Sequence, residues 1–458
     1  MVMTKQKRSV IFLVVLLSTI VSSFLSTALN TALPQIMADY RLSATTGQWV
    51  TSIYSLIMGI AVLATAYLVK RIPTKRLFLL ALLLFSAGLL LDGLPLPFPT
   101  FMLGRVLQAV SNGVLMALTQ VIILTIFPVE QRGTYMGIYG LAVGVAPILA
   151  PTLAGIIIDA TGWRIIFYST LALMLVLLAV SAFVFEDVLQ NEKLRFDAAS
   201  MALCSLGYIG ILLALGNISA YGFVSLNVLL PLGLGLVGSI AFIARQLRSE
   251  KPFLEVRVFK VKQYRIAVIS SMLLYLAMMA ATILVPIYLQ TIRGYSATIS
   301  GLVMIPGSAA MAILSPMIGK LYDKFGIKKL FIIGAALQVI SYLGMTFLGD
   351  AIPLWYITVM QTVRNIAIGF LMMPLATWGM AAVGQDKTSD GTSLLTSLRT
   401  VAGAIGTAVF VGLMTAVGRS ATDTIGMNVT FMVLAALGAV QLLIAVFAVH
   451  DQLKERIQ

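Results

Sequence analysis

Residues 319–329 read Gly319-Lys320-Leu321-Tyr322-Asp323-Lys324-Phe325-Gly326-Ile327-Lys328-Lys329, a basic loop set between two long apolar runs. Gly319 has no side chain and would let two helices approach closely, and Gly326 would permit a tight turn. Asp323, at a helix end, can hold a neighbouring helix through charge-assisted hydrogen bonds that are made in one conformation and broken in another. The loop has a counterpart 253 residues upstream. Ser43-Ala44-Thr45 matches Ser296-Ala297-Thr298, Leu68 matches Leu321, and Lys75-Arg76-Leu77-Phe78 matches Lys328-Lys329-Leu330-Phe331. Both copies straddle a short basic loop on the same side, so the repeat is parallel rather than inverted.

Working outward from the two loops, the chain is apolar almost throughout. Of 458 residues 60% are hydrophobic and 10% charged, and the mean hydropathy is +1.01. Soluble domains carry about 25% charged residues, so this chain cannot clothe a water-facing surface, and disorder is excluded by the same hydrophobicity. About 20 apolar residues cross a bilayer core. Fourteen segments satisfy that, at 9–31, 46–69, 76–93, 98–127, 134–158, 163–185, 198–217, 223–245, 264–291, 297–319, 328–348, 353–382, 391–418 and 427–449. The first is too long for a cleaved signal peptide. Six spans with their loops fill about 200 residues, which leaves roughly 50 of the repeat register for two extra helices, supplied by 198–245. The expected fold is therefore an all-α polytopic membrane protein of 14 transmembrane helices. Residues 1–190 form an N-terminal six-helix half, 191–262 an inserted helix pair with a linker, and 263–458 a C-terminal six-helix half.

The net charge of +14 would suggest nucleic acid in a soluble protein, but its placement argues otherwise. With the N-terminus inside, 24 of the 31 basic residues fall on the cytoplasmic side and four on the other, as the positive-inside rule expects. Both termini are then cytoplasmic, and no nucleic-acid partner is implied. The remaining three, Arg105, Arg364 and Arg399, lie within spans. A charge at that depth is costly and normally faces a cavity or a partner. One cysteine, Cys204, and one histidine, His450, exclude a disulfide scaffold, a cysteine-rich metal site and most histidine-based catalysis. No nucleophile–base set or phosphate loop is present, so the chain does not read as an enzyme, and no cofactor or metal is implied.

Further stretches carry a resemblance. They are Leu29-Asn30-Thr31-Ala32-Leu33-Pro34, Gln48-Trp49-Val50 with Tyr54, and Gly104-Arg105-Val106-Leu107-Gln108 with Gly113. Gly140-Leu141-Ala142-Val143-Gly144-Val145-Ala146-Pro147 and Ala150-Pro151-Thr152-Leu153-Ala154-Gly155 follow, and then Ser397-Leu398-Arg399-Thr400-Val401-Ala402-Gly403. Together with the 319–329 loop they resemble the major facilitator superfamily, in particular its fourteen-helix drug:proton antiporter branch of multidrug efflux pumps, across essentially the whole chain. The resemblance implies the major facilitator fold and makes Lys70, Arg71, Gly319, Asp323 and Gly326 cytoplasmic gate residues. The N-terminal gate copy departs from the pattern, with Ala66, Lys70 and Pro73 standing where Gly, Asp and Gly would be. Gly140, Gly144, Pro147, Pro151 and Gly155 correspond to the antiporter motif of the fifth helix. Arg105, with Arg364 in the equivalent span of the second half, becomes a proton-coupling candidate. Asn30, Gln108, Asn112, Gln361 and Asn365 sit on spans that line the cavity in that fold.

The family's usual acid near the first-helix motif is missing, since Leu25 stands at its position. Asp39, Asp92, Asp159, Asp350 and Asp423 fall in or near outer loops and the other twelve acids on the cytoplasmic side, with none at the centre of a span. Asp159, at the outer end of the fifth span, is the remaining candidate for a titrating group. A cavity without a central acid favours neutral, zwitterionic or anionic substrates over cations. The expectation is a secondary active exporter of drugs or other small amphipathic compounds, working by alternating access in exchange for protons. It would sit in the cell membrane, with an accessory adaptor protein as a partner where the cell has an outer membrane. The alternatives are a dedicated exporter of one metabolite, antibiotic or lipid, and a non-transporting receptor or scaffold. Basic residues 245–265 would lie along the membrane surface, where anionic lipids attract them.

Overall fold

In lipid every backbone polar group must be satisfied within the protein, so an apolar run of this length has to be helical. The computed structural model describes the backbone of residues 5–42, 44–189, 197–221, 224–250, 252–295, 297–349, 351–420 and 422–449. Side chains of these residues are described except at 5, 26–27, 30–31, 34, 44–49, 51–52, 144–149, 151–152, 155, 159, 219–221, 297–298, 385 and 419–420. His450 lies outside the described residues. Fourteen α-helices follow one another: α1 (Lys5–Asp39), α2 (Ala44–Arg71), α3 (Thr74–Gly93), α4 (Phe98–Ile126), α5 (Val129–Thr161), α6 (Arg164–Val184) and α7 (Ala198–Tyr221). The second seven are α8 (Leu226–Arg248), α9 (Lys262–Ile287), α10 (Ala297–Phe325), α11 (Ile327–Gly344), α12 (Leu354–Ala381), α13 (Thr388–Ser420) and α14 (Asp423–Leu443).

Each expected span coincides with one helix, and several helices overshoot it. The first span, expected over 9–31, is 35 residues long, and the fifth is 33. Hydropathy measures the hydrocarbon stretch, whereas the i→i−4 ladder continues until something stops it. Pro73, Pro97, Pro128 and Pro353 immediately precede α3, α4, α5 and α12. Proline breaks a preceding helix and suits the start of the next. Gly162 and Gly326 turn the chain with φ of 89° and 75°. Thirteen of the helices are long and apolar enough to cross a membrane among the described residues, and α5 carries the chain across between α4 and α6.

The pairing of helices repeats between the halves. In the first half α3 packs on α4 and α6, α2 on α4, and α1 on α5. Adding eight to each label gives contacts that also exist: α11 with α12 and α14, α10 with α12, and α9 with α13. The halves meet along two seams, α5 against α10 and α2 against α13. The inserted α7–α8 hairpin is tightly closed. Gly207, Gly210, Gly235 and Gly238 let its backbones touch, so that a Cβ on Gly210 would come within 2.6 Å of the Gly235 Cα. Through α7 it rests on both α2 and α13, across one seam.

Successive helices alternate in direction, so the segments around 70–76, 185–189, 245–262, 320–329 and 384–390 share one end of the bundle, the basic end. Contacts there include Lys7 Nζ with Glu186 at 2.5 Å and the Lys75 amide with Asp187 at 2.9 Å. At the opposite end Asp92, expected in or near an outer loop, is the penultimate residue of α3 and fully buried. The helix ends where the expected span does, at Gly93, and α4 folds back over it.

Candidate functional site

The chain turns back after only Leu94–Pro97, so α3 and α4 run side by side. Gly88 and Gly104 make the approach close, since a Cβ on Gly88 would come within 2.6 Å of the Gly104 carbonyl oxygen. Asp92 is thereby set against α4. Gln108 donates from Nε2 to Asp92 Oδ2 at 2.9 Å and accepts from Arg105 Nη1 at 2.5 Å. The Arg105 guanidinium stacks 4.2 Å from the centre of the Tyr54 ring, contributed by α2. The Tyr54 hydroxyl accepts from Asn112 Nδ2 at 2.8 Å. Arg105 is 1% exposed and Asp92 0%. Each lone charge would be costly here, and the two offset one another through the glutamine that joins them. Asp92 Oδ1, Arg105 Nε and Asn112 Oδ1 are buried with no hydrogen-bond partner among the described residues. Such leftover polar capacity in a core calls for a functional account, and a carboxyl beside a fixed cation can hold or release a proton.

Among the described residues, the second half has the cation without the acid. Arg364 on α12 is 2% exposed and donates to Asn365 Oδ1 at 3.3 Å. Asn365 in turn reaches Ser308 Oγ on α10 at 3.4 Å, and Gln361 is buried beside it. The repeat register of 253 puts Met345 opposite Asp92. Arg399 on α13 is buried too, donating to Ser271 Oγ and the Met372 carbonyl. Neither Arg364 nor Arg399 meets a carboxylate among the described residues.

Both seams are bolted at the basic end. On α10, Asp323 accepts from the amides of Gly133 and Thr134, each at 2.8 Å, and from the Thr134 hydroxyl. These amides belong to the second turn of α5. A Cβ on Gly133 would fall on Asp323, and one on Gly319 would fall on the Gly133 carbonyl, so glycine is needed on both helices. The other seam is held by the repeat counterpart of Asp323, which is Lys70. Its Nζ lies 2.5 Å from Asp390 Oδ2, in the first turn of α13. Asp390 is wholly buried and also accepts from the Glu255 amide at 3.1 Å. The substituted N-terminal copy of the loop thus makes a contact of reversed charge. Arg71 beside it is exposed.

Gly140 faces Met373 of α12. Pro147 and Pro151 lie within the continuous α5, and the side chains of Asn30, Gly144, Pro147, Pro151, Gly155 and Asp159 lie outside the described residues. Gln108 and Asn112 are turned into hydrogen bonds within the first half. Sequence reasoning missed Asp92, Tyr54 and Asp390 as partners. Two signals pointed to them: antiparallel spans joined by a short loop place Asp92 alongside residues just before Arg105, and a lysine at the register of Asp323 calls for an acid opposite.

With this geometry in hand, comparison with known proteins gives the class. The chain belongs to the Major Facilitator Superfamily, whose family profile matches residues 15–407. It is thus a multi-pass membrane transporter. It is 35% identical over 383 residues to the uncharacterized MFS-type transporter YhcA of Bacillus subtilis (strain 168), covering 84% of this chain and 72% of that one. It is 32% identical over 392 residues to the lincomycin resistance protein LmrB of Listeria innocua, covering 86% and 83%. Among solved structures, the human organic anion transporter MFSD10 superposes with a TM-score of 0.70 at 15% identity, over 97% of this chain and 100% of that one.

Proposed function

We propose that the protein exports small amphipathic compounds from the cell in exchange for protons, with Asp92 as the titrating carboxyl and Arg105 as its fixed counter-charge. The observation that carries this is the buried Asp92–Gln108–Arg105 cluster, an acid and a guanidinium held inside the span region with unfilled polar capacity. A buried intramembrane acid is a proton-relay candidate by default. The lincomycin resistance relative supports export of antibiotics. The distribution of basic residues supports a cytoplasmic basic end and a place in the cell membrane. Arg364 and Arg399, buried without an acid partner among the described residues, favour anionic or zwitterionic substrates over cations. Lys70–Asp390 and Asp323–Thr134 close the basic end, so alternating access requires both to break.

The test is transport by the purified protein in liposomes with an imposed pH gradient and a substrate panel varied in charge. Gradient-driven movement of several compounds is expected, lost in Asp92→Asn while substrate exchange at equal pH persists. Full gradient-driven transport by Asp92→Asn, with loss in Asp159→Asn instead, would move the proton site to the fifth helix. Movement of a single compound would make the protein a dedicated exporter.

A further inference from the structure

The inserted hairpin roofs a cavity that the transport cycle above does not use. Its volume is about 580 Å³, within the roughly 300–1,000 Å³ of small-molecule sites. Leu63 of α2 and Leu394 and Leu398 of α13 form its inner wall, so both halves contribute. Tyr208 of α7 and Phe242 of α8 close its outer side. The charged residues at its edge are all cationic: Arg257, Lys260 and Arg265, clustered at the basic end where the 3₁₀ turn Val256–Lys260 leads into α9. Arg257 is engaged, donating to the Leu247 and Ser249 carbonyls at 2.9 Å and lying 3.5 Å from Glu255. The side chains of Lys260 and Arg265 are exposed and make no ion pair or hydrogen bond among the described residues. Away from the cavity, α8 presents Leu230, Val237 and Ile240 at 56%, 64% and 66% exposure, a surface suited to hydrocarbon.

We propose that this cavity seats one anionic phospholipid of the cytoplasmic leaflet, its acyl chain against Leu63, Leu394 and Leu398 and its phosphate between Lys260 and Arg265. The cytoplasmic side rests on the orientation proposed above. A neutral apolar compound would use the wall and leave two cations unanswered. Inorganic phosphate would answer the cations and leave the wall empty. An anionic amphiphile uses both, and the bilayer supplies it at the cavity's rim. Because the wall spans α2 and α13, the lipid lies across the seam that Lys70 and Asp390 close. The linker ties the two sites together, since Leu254 lines the cavity and the next residue, Glu255, donates its amide to Asp390. Occupancy therefore favours the state with the basic end closed.

The experiment is native mass spectrometry of the full chain in detergent, with phosphatidylglycerol, phosphatidylcholine or inorganic phosphate added in turn. One retained phosphatidylglycerol is expected, preferred over phosphatidylcholine by roughly tenfold or more. Lys260→Ala combined with Arg265→Ala should erase that preference. Leu398→Trp should block retention with the cations intact, and unchanged thermal unfolding of each variant confirms that it has folded. Equal retention of phosphatidylcholine, displacement by inorganic phosphate or by an exported compound, or wild-type retention in both variants would each overturn the proposal. The readout is binding, so a failure of the transport assay leaves this result standing on its own.

Discussion

At the scale of single residues, Asp92 and Arg105 are buried opposite charges joined through Gln108. Removing one partner of a buried pair leaves an uncompensated charge, which costs roughly 3–5 kcal/mol. Arg105→Met should therefore lower the unfolding midpoint of the purified protein, and adding Asp92→Asn should recover much of the loss. That recovery distinguishes a coupled pair from two independent sites. Gly104 is a second point of leverage, because a Cβ there would collide with Asp92 Oδ1. Gly104→Val should abolish proton-driven transport although it alters no charge, as measured in liposomes with a pH gradient.

At the scale of elements, the two seams show how one repeat was adapted twice. Asp323 uses amides in the second turn of α5, whereas Lys70 needs a carboxylate and finds Asp390 at the start of α13. Lys70→Asp would set two carboxylates together in a buried site and should slow transport about tenfold, while the swap Lys70→Asp with Asp390→Lys should recover most of it. The initial transport rates of wild type, both single variants, Asp390→Lys included, and the swap check this. The inserted hairpin has its own clasp, in which Arg245 donates twice to Asp197 at 3.0 Å. The Arg245 hydrogen bond, helped by Ser200, holds the Asp197 carboxyl down to about 2 from its ordinary 3.8. A depressed folded value contributes stability above the ordinary value and loses it as pH falls through the folded one. The clasp should hold at neutral pH and weaken between about pH 4 and pH 2. Over that window the unfolding midpoint of wild type should fall slightly more than that of Asp197→Asn.

At the scale of the whole molecule, the orientation drawn from basic residues is directly measurable. In a Cys204→Ser background, Lys328→Cys should react with a membrane-impermeant thiol reagent from the cytoplasmic side, and a cysteine replacing Thr161 from the opposite side. The reverse pattern would invert the proposed direction of every step above. The span count, the parallel repeat and the basic loop with its glycines and aspartate were legible in the chain because each is local. A run of apolar residues has to become a helix in lipid, and a 253-residue register survives comparison of the two halves. The acid of the candidate site was not legible. Hydropathy placed Asp92 at an edge, where an acid ordinarily meets water.

What the sequence by itself determined was the set of helices, their alternating directions and the charge bias between the two ends. Backbone hydrogen bonding in hydrocarbon and the placement of lysine and arginine leave little freedom in those features. What only the tertiary structure decided was which side chains meet. Asp92 is an interior group because glycines at 88 and 104 let two helices touch. Lys70 has a buried carboxylate partner because α13, some 320 residues further along the chain, delivers Asp390 to it. Contacts of that kind depend on how helices pack across a seam, which no local property of the chain encodes.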